Sequence, residues 1–296
     1  MIRIILKGGL GNQMFQYAFG KSLSIKLNEE LILDTTFLKS RLPLPNFTFR
    51  NYELDLFSIP EKTKSLVETD ITSKYFGYPL LLLQKNTLGG KYITEPKELQ
   101  YIYSPKFSEK AVKGNTYDGY WTNYKYFEEN DDEIQKIFDT SKLFDKNFIE
   151  IEKEITNSNS VSISIRRGDY LNSGNKDFFV QLNKKYYDKA INLIRNEVKK
   201  PRFFVFSYDD PLWAKKNLNL KDSETTFLDK EYVSERFKTY LRLISICKHN
   251  IIANSTFAFW GAWLNNNQNK NVICPSKWIL NRDFDVPPNW RKIKND

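Results

Sequence analysis

The sequence predicts an α/β fold built on parallel sheets and divided into two domains. Three observations predict it. The chain opens with the apolar run Ile2-Arg3-Ile4-Ile5-Leu6, a glycine-containing turn, a helical pattern from about Gln13 to Leu27 and a second apolar run, Leu31-Ile32-Leu33, ending at Asp34. That is a β-α-β opening of doubly wound type. After the polar break Thr156-Asn157-Ser158-Asn159-Ser160, short apolar runs alternate with helical stretches almost to the end. The 296 residues suffice for two domains, each with its own core.

Between the opening and the break the pattern is less regular. Residues 40–130 are rich in Pro, Tyr and Phe and include the short aromatic strand Tyr117-Asp118-Gly119-Tyr120-Trp121. Charged, helical sequence runs from Glu128 to Ile155. Beyond the break, strands are expected at 161–165, Phe203-Phe204-Val205-Phe206, Thr226-Phe227-Leu228, Asn250-Ile251-Ile252-Ala253 and Val272-Ile273-Cys274, with helices near 184–198, 234–247 and 257–265. The domains are therefore expected to be 1–155 and 156–296. No internal repeat is present, and the only biased segment is the Asn-rich 265–271.

Hydrophobic residues at 41% and charged residues at 27% are ordinary for a globular chain. Aromatics reach 15%, which core packing explains first and sugar stacking second. The longest apolar run, Tyr78-Pro79-Leu80-Leu81-Leu82-Leu83, is far short of the roughly 20 residues of a membrane span. The chain enters its first strand with no charged-then-apolar leader. Two cysteines, Cys247 and Cys274, argue against a disulfide framework and fit a reducing cytoplasm. The net charge of +9 includes Lys184-Lys185, Lys199-Lys200 and Lys215-Lys216. A solvated lysine-rich surface explains these clusters; peripheral attraction to an anionic membrane or a polyphosphate carrier is the functional reading. No helix-turn-helix, RNA-binding or zinc pattern accompanies the charge, so nucleic acid is not expected as a partner.

Three segments carry candidate chemistry. Ser164-Ile165-Arg166-Arg167-Gly168-Asp169-Tyr170 follows the apolar Val161-Ser162-Ile163, so two arginines fall at the carboxyl end of a buried strand, where open α/β sheets bind ligands. Paired guanidinium forks suit a diphosphate; a surface Arg–Asp ion pair is the plainer alternative. Lys7-Gly8-Gly9-Leu10-Gly11-Asn12-Gln13 joins strand to helix and allows close backbone approach. It lacks the Lys-Ser/Thr ending of a P-loop and the full dinucleotide fingerprint, which excludes ATPase and dehydrogenase readings. Asn254-Ser255-Thr256 lies between a strand and the run Phe257 to Leu264; Ser255 or Thr256 reads as a helix cap or as a phosphate ligand. Trp260 and Trp263 share a helix face and read as core. Asp209-Asp210 precedes Pro211 and reads as a helix cap, so no metal site is expected, and His249, the only histidine, is a poor base at a strand entry.

With Asn250 to Asn265 added, these segments resemble the bacterial α-1,2-fucosyltransferases of glycosyltransferase family 11 in order and spacing over nearly the whole chain. The resemblance implies two Rossmann-like domains facing across a cleft, the glycosyltransferase-B architecture. The N-terminal domain would lie on the acceptor side, and the C-terminal domain would bind the nucleotide sugar. It implies an inverting, metal-free transfer of L-fucose from GDP-fucose to the 2-hydroxyl of a galactoside, with an oligosaccharide or lipid-linked glycan as acceptor, in surface polysaccharide or O-antigen synthesis. Arg166 maps to the arginine that related enzymes place on the donor's β-phosphate. Arg167, Asn254, Ser255 and Thr256 complete the donor side, and Gly8, Gly9, Gly11, Asn12 and Gln13 line the cleft, with Asn12 and Gln13 free to bond a ligand. Asp169 is the candidate general base.

Two positions depart from the family pattern. Ser164 stands where the motif has histidine, and Tyr240 where a helix carries aspartate; in related enzymes both help to read guanine. A nearby acid such as Glu235 would restore that role. Otherwise the donor is a different nucleotide sugar, such as a UDP-hexose. A non-catalytic carbohydrate-binding protein is the reading from another class, and the intact arginine pair speaks against it.

Overall fold

The computed structural model describes every residue except 43–47, 68–69, 169–177, 234–236, 281 and 296. It resolves two compact units, Met1–Phe138 and Asp139–Asp296.

In the first unit the elements run β1 (Ile2–Ile5), α1 (Leu10–Leu27), β2 (Leu31–Asp34), α2 (Thr36–Lys39), β3 (Lys62–Lys64), α3 (Asp70–Leu88), β4 (Tyr92–Thr94), α4 (Lys106–Glu109), β5 (Thr116–Asp118) and α5 (Asp131–Ile137). The strands form one parallel sheet in the order β3-β2-β1-β5-β4. α1 is buried along most of its length because aromatics surround it: the Phe19 ring stacks on Trp121 at 4.5 Å and meets Tyr117 and Tyr126 edge-on. The chain winds from β1 outward to β3, then returns on the other side of β1. The winding therefore reverses between β1 and β5, and such a reversal opens a crevice at the strands' carboxyl ends.

The second unit continues with α6 (Ile149–Thr156), β6 (Asn159–Ser164), α7 (Lys184–Glu197), β7 (Pro201–Phe206), α8 (Pro211–Asn217), β8 (Thr225–Leu228), α9 (Lys238–Ile246), β9 (His249–Ile251), α10 (Thr256–Trp263), β10 (Val272–Pro275), β11 (Lys277–Ile279), β12 (Arg282–Asp283) and β13 (Arg291–Ile293). β11 and β12 form a small antiparallel pair; the others build a parallel sheet in the order β13-β10-β9-β6-β7-β8. On one face Val161, Ile163, Phe203 and Val205 pack with Tyr187 and Ile191 of α7. On the other, Phe204 and Phe206 pack with Leu243 and Ile244 of α9 and Ile151 and Ile155 of α6. The reversal here lies between β6 and β9.

Two expectations are corrected. The division falls at Phe138/Asp139 rather than at 155/156, because α6 buries its apolar stripe against α9 and ties Glu152 to Arg242. The helical stretch 128–155 is broken into short pieces: Asp139 and Asp145 accept hydrogen bonds from the backbone N–H groups of Ser141 and Asn147, two residues on, and so compete with helix continuation. The irregular middle third also contains a 19-residue helix, α3, with Pro79 inside it; Leu81 packs with Ile5 and Tyr92, which draws the helix onto the sheet. Cys247 and Cys274 are buried and free. Trp260 and Trp263 pack against each other in the core, with centroids 5.1 Å apart. Among the described residues no helix is long and apolar enough to cross a membrane.

Candidate active site

β6 delivers the arginine pair to the carboxyl edge of the second sheet, next to the reversal. A row of serines leads there. Ser160 accepts a hydrogen bond from the Lys248 N–H, and Ser162 accepts one from the Asn250 amide, which is itself tied to Asn265. Ser164, last in the row, is buried, and its hydroxyl has no partner among the described residues.

The backbone then turns around Asp209, which follows β7. Asp209 Oδ2 accepts from the N–H groups of Arg167 (3.0 Å) and Gly168 (2.8 Å) and lies 3.5 Å from the Arg166 guanidinium. Gly168 permits this approach: a Cβ there would meet the Asp209 Cβ at 2.9 Å. Asp210 caps α8 through the Trp213 N–H and pairs with Arg167 Nε at 3.1 Å. The two arginines thus diverge. Arg167 is 18% exposed, stacks 4.2 Å over Trp213 and also donates to the Leu182 carbonyl. Arg166, 30% exposed, is the one presented at the edge.

On the far side of the reversal, β9 leads to Asn254-Ser255-Thr256. Asn254 is buried, and its amide donates to the carbonyls of Val180 (2.7 Å) and Trp278 (2.9 Å), so it is a tie between segments. Ser255 occupies the N-cap position of α10, yet its side chain makes no capping hydrogen bond. The capping alternative is therefore not realised by Ser255, and its hydroxyl sits at the helix start with Thr256. Tyr240 is buried under the end of β8 and donates to the Leu228 and Asp229 carbonyls. His249 Nδ1 accepts from the Asn271 N–H, and burial holds its pKa below the usual histidine value. Asp169 and Glu235 lie outside the described residues.

The first sheet presents a second polar group at its own reversal. In the loop after β1, Gly8 has φ +77°, and a Cβ there would strike Asn12 Nδ2 at 2.4 Å; Gly9 and Gly11 flank the start of α1. Gln13 was expected to face a ligand but is fully buried. Its amide donates to the Gly8 and Asn51 carbonyls, and its oxygen accepts from the Glu53 N–H. Gln16 similarly links Lys7 to Gly119. These glutamines fix the loops in place.

Lys7 pairs with Asp118 at 2.5 Å, Tyr92 donates to the other Asp118 oxygen at 3.2 Å, and the Lys7 ammonium lies 5.1 Å from the Tyr120 ring centroid. Burial works to lower the Lys7 pKa, but Asp118, Tyr120 and Glu95 outweigh it and raise it. Beside them Glu95, just past β4, is only 5% exposed. One of its oxygens accepts from the N–H groups of Tyr120 (2.7 Å) and Trp121 (3.3 Å); the other has no partner among the described residues. Burial pushes its pKa up to about 7; the two N–H groups and Lys7 pull against the rise, and Asp118 adds to it. The sequence reading missed Lys7, Glu95, Asp118 and the clamp made by Asp209. Among the described residues no group of three or more His, Cys, Asp or Glu side chains could hold a metal ion.

The family model for glycosyl transferase family 11 matches residues 1–284. An alpha-1,2-colitosyltransferase of Escherichia coli is 31% identical over 98% of this chain and 97% of its own length. The O-antigen biosynthesis glycosyltransferase WbnK, also of Escherichia coli, is 33% identical over 93% of each chain. A galactoside 2-alpha-L-fucosyltransferase of Caenorhabditis elegans is 24% identical over 99% of this chain and 79% of its own. Two doubly wound parallel α/β units are the build of the glycosyltransferase-B class. With the match running through both of them, the chain belongs to glycosyl transferase family 11 and is a glycosyltransferase.

Proposed function

We propose that this enzyme moves L-fucose from GDP-fucose to the 2-hydroxyl of a galactoside with inversion, in O-antigen or related surface polysaccharide synthesis, without a metal. The observation that carries the reading is the pairing, at one sheet reversal, of the outward Arg166 guanidinium with the uncapped start of α10 at Ser255. A guanidinium and helix N–H groups are the donors a leaving diphosphate requires. Arg167, Asp209 and Gly168 act by holding Arg166 in place.

The guanine base is inferred from family membership rather than from a side chain: neither Ser164 nor Tyr240 supplies the carboxylate that guanine's N1–H and amino group need, and a UDP-hexose is the alternative donor. A second reading keeps the base and changes the sugar to colitose, which lacks one fucose hydroxyl; the 31% identical relative carries that name over its whole length. Incubation with GDP-fucose and with GDP-colitose, each with lactose as acceptor, tests both. We expect an α-1,2-linked product from one of them in the presence of chelator. Transfer from a UDP-sugar alone, or strict need of a divalent metal, would contradict the proposal.

A further inference from the structure

The polar cluster on the first sheet is not used by the donor chemistry, and its geometry gives it a task. We propose that Glu95 is the base that takes the proton from the acceptor hydroxyl, and that Lys7, Asp118 and Tyr120 form the subsite that holds the acceptor sugar. This rests on the transfer reading above.

Residues from three neighbouring strand ends meet here: Lys7 after β1, Asp118 and Tyr120 at the end of β5, and Glu95 after β4. Lys7 and Asp118 remain 18% and 24% exposed. A charged pair beside an aromatic ring suits a neutral hexose, whose hydroxyls need donors and acceptors while its C–H face needs an apolar wall. Glu95 is held differently. Two N–H groups fix one oxygen and so orient the carboxylate, and the buried second oxygen lacks a donor. Trp121 Nε1 and Thr122 Oγ1 are also buried without a partner among the described residues. Buried polar atoms rarely stay unpaired in native proteins, and a sugar hydroxyl would supply what the Glu95 oxygen lacks. Asp118 is the weaker candidate for the base, since Lys7 and Tyr92 occupy its two oxygens.

In the step, the acceptor O–H bond breaks and its proton passes to Glu95. The oxygen's electron pair forms the bond to the anomeric carbon, and the bond from that carbon to the diphosphate breaks, its electron pair leaving on the nucleotide. The groups facing Glu95 are Lys7, Asp118, Tyr120 and Tyr126. Their balance, with burial, gives the carboxylate a proton affinity near neutrality, as a base working at that pH needs.

Glu95 also supports the turn at Trp121, which has φ +51°. Glu95→Gln separates the two roles, because the glutamine oxygen can still accept from Tyr120 and Trp121. The test compares transfer to lactose by the wild type and by Glu95→Gln across pH, with thermal stabilisation by GDP as the check on folding and donor binding. We expect kcat to fall by about 10²–10⁴-fold, the stabilisation by GDP to be unchanged, and the wild-type rise in kcat through about pH 7 to be absent from the variant. A variant that turns over at the wild-type rate with the same pH profile would overturn the role of Glu95 and leave the donor reading standing. A wild type that transfers neither fucose nor colitose would remove both.

Discussion

Arg166→Ala is expected to lower the transfer rate by about 10²–10³-fold, or about 3–4 kcal/mol of transition-state stabilisation, with the fold intact. In the proposed reaction the charge that grows on the departing diphosphate needs a donor already in place, and Arg166 is the arginine presented at the edge. Arg167 cannot substitute, because Asp210, Trp213 and the Leu182 carbonyl hold its guanidinium. Folding should survive the change, since the turn is fixed by Asp209 through the backbone N–H groups of Arg167 and Gly168. Single-turnover rates and circular dichroism check this. Activity within tenfold of wild type would move the diphosphate elsewhere.

Glu95→Gln is expected to stabilise the protein at pH 8 while it removes activity. A pKa raised from 4.5 to about 7 corresponds to about 3 kcal/mol between the protonation states. Between those pH values the folded chain keeps a proton that the unfolded chain has released, so stability falls as pH rises through the window. Below about 4.5 both states are protonated and the penalty is gone; above about 7 it is complete. Glutamine removes the ionisation and leaves an amide of similar shape, whose unpaired buried group costs about 1 kcal/mol. The net gain at pH 8 is about 2 kcal/mol, about 3 °C in Tm; it should shrink as pH falls and reverse to a loss of about 1 kcal/mol toward pH 4.5. A variant destabilised at pH 8 would contradict the buried, unpaired carboxylate.

The second unit was legible in the sequence because its strands are short apolar runs bounded by polar turns, and β6 to β10 lie within a few residues of their expected places. The first unit was legible only at its opening. Its helix α3 carries a proline and leaves Tyr75, Phe76, Leu82 and Leu83 exposed, so periodicity did not mark it. The site divides the same way. Arg166 and Ser255 lie in contiguous segments whose spacing showed them. Lys7, Glu95 and Asp118 come from three strand ends far apart in sequence, and only the parallel register of β1, β5 and β4 brings them together. Asp209 and Asp210 were read together as a helix cap. Asp210 does cap α8, whereas Asp209 clamps the arginine turn.

The proposed function puts a guanine diphosphate at the carboxyl edge of the second sheet. The most direct measurement is the thermal shift of the purified protein with GDP, UDP, CMP and dTDP in the absence of added metal. A ligand bound only by the folded chain raises its stability by about 2.7 kcal/mol at one hundred times its Kd. Selective stabilisation by GDP, lost in Arg166→Ala, is the predicted result. Selective stabilisation by UDP would contradict it, and would make Ser164 and Tyr240 the marks of a different donor.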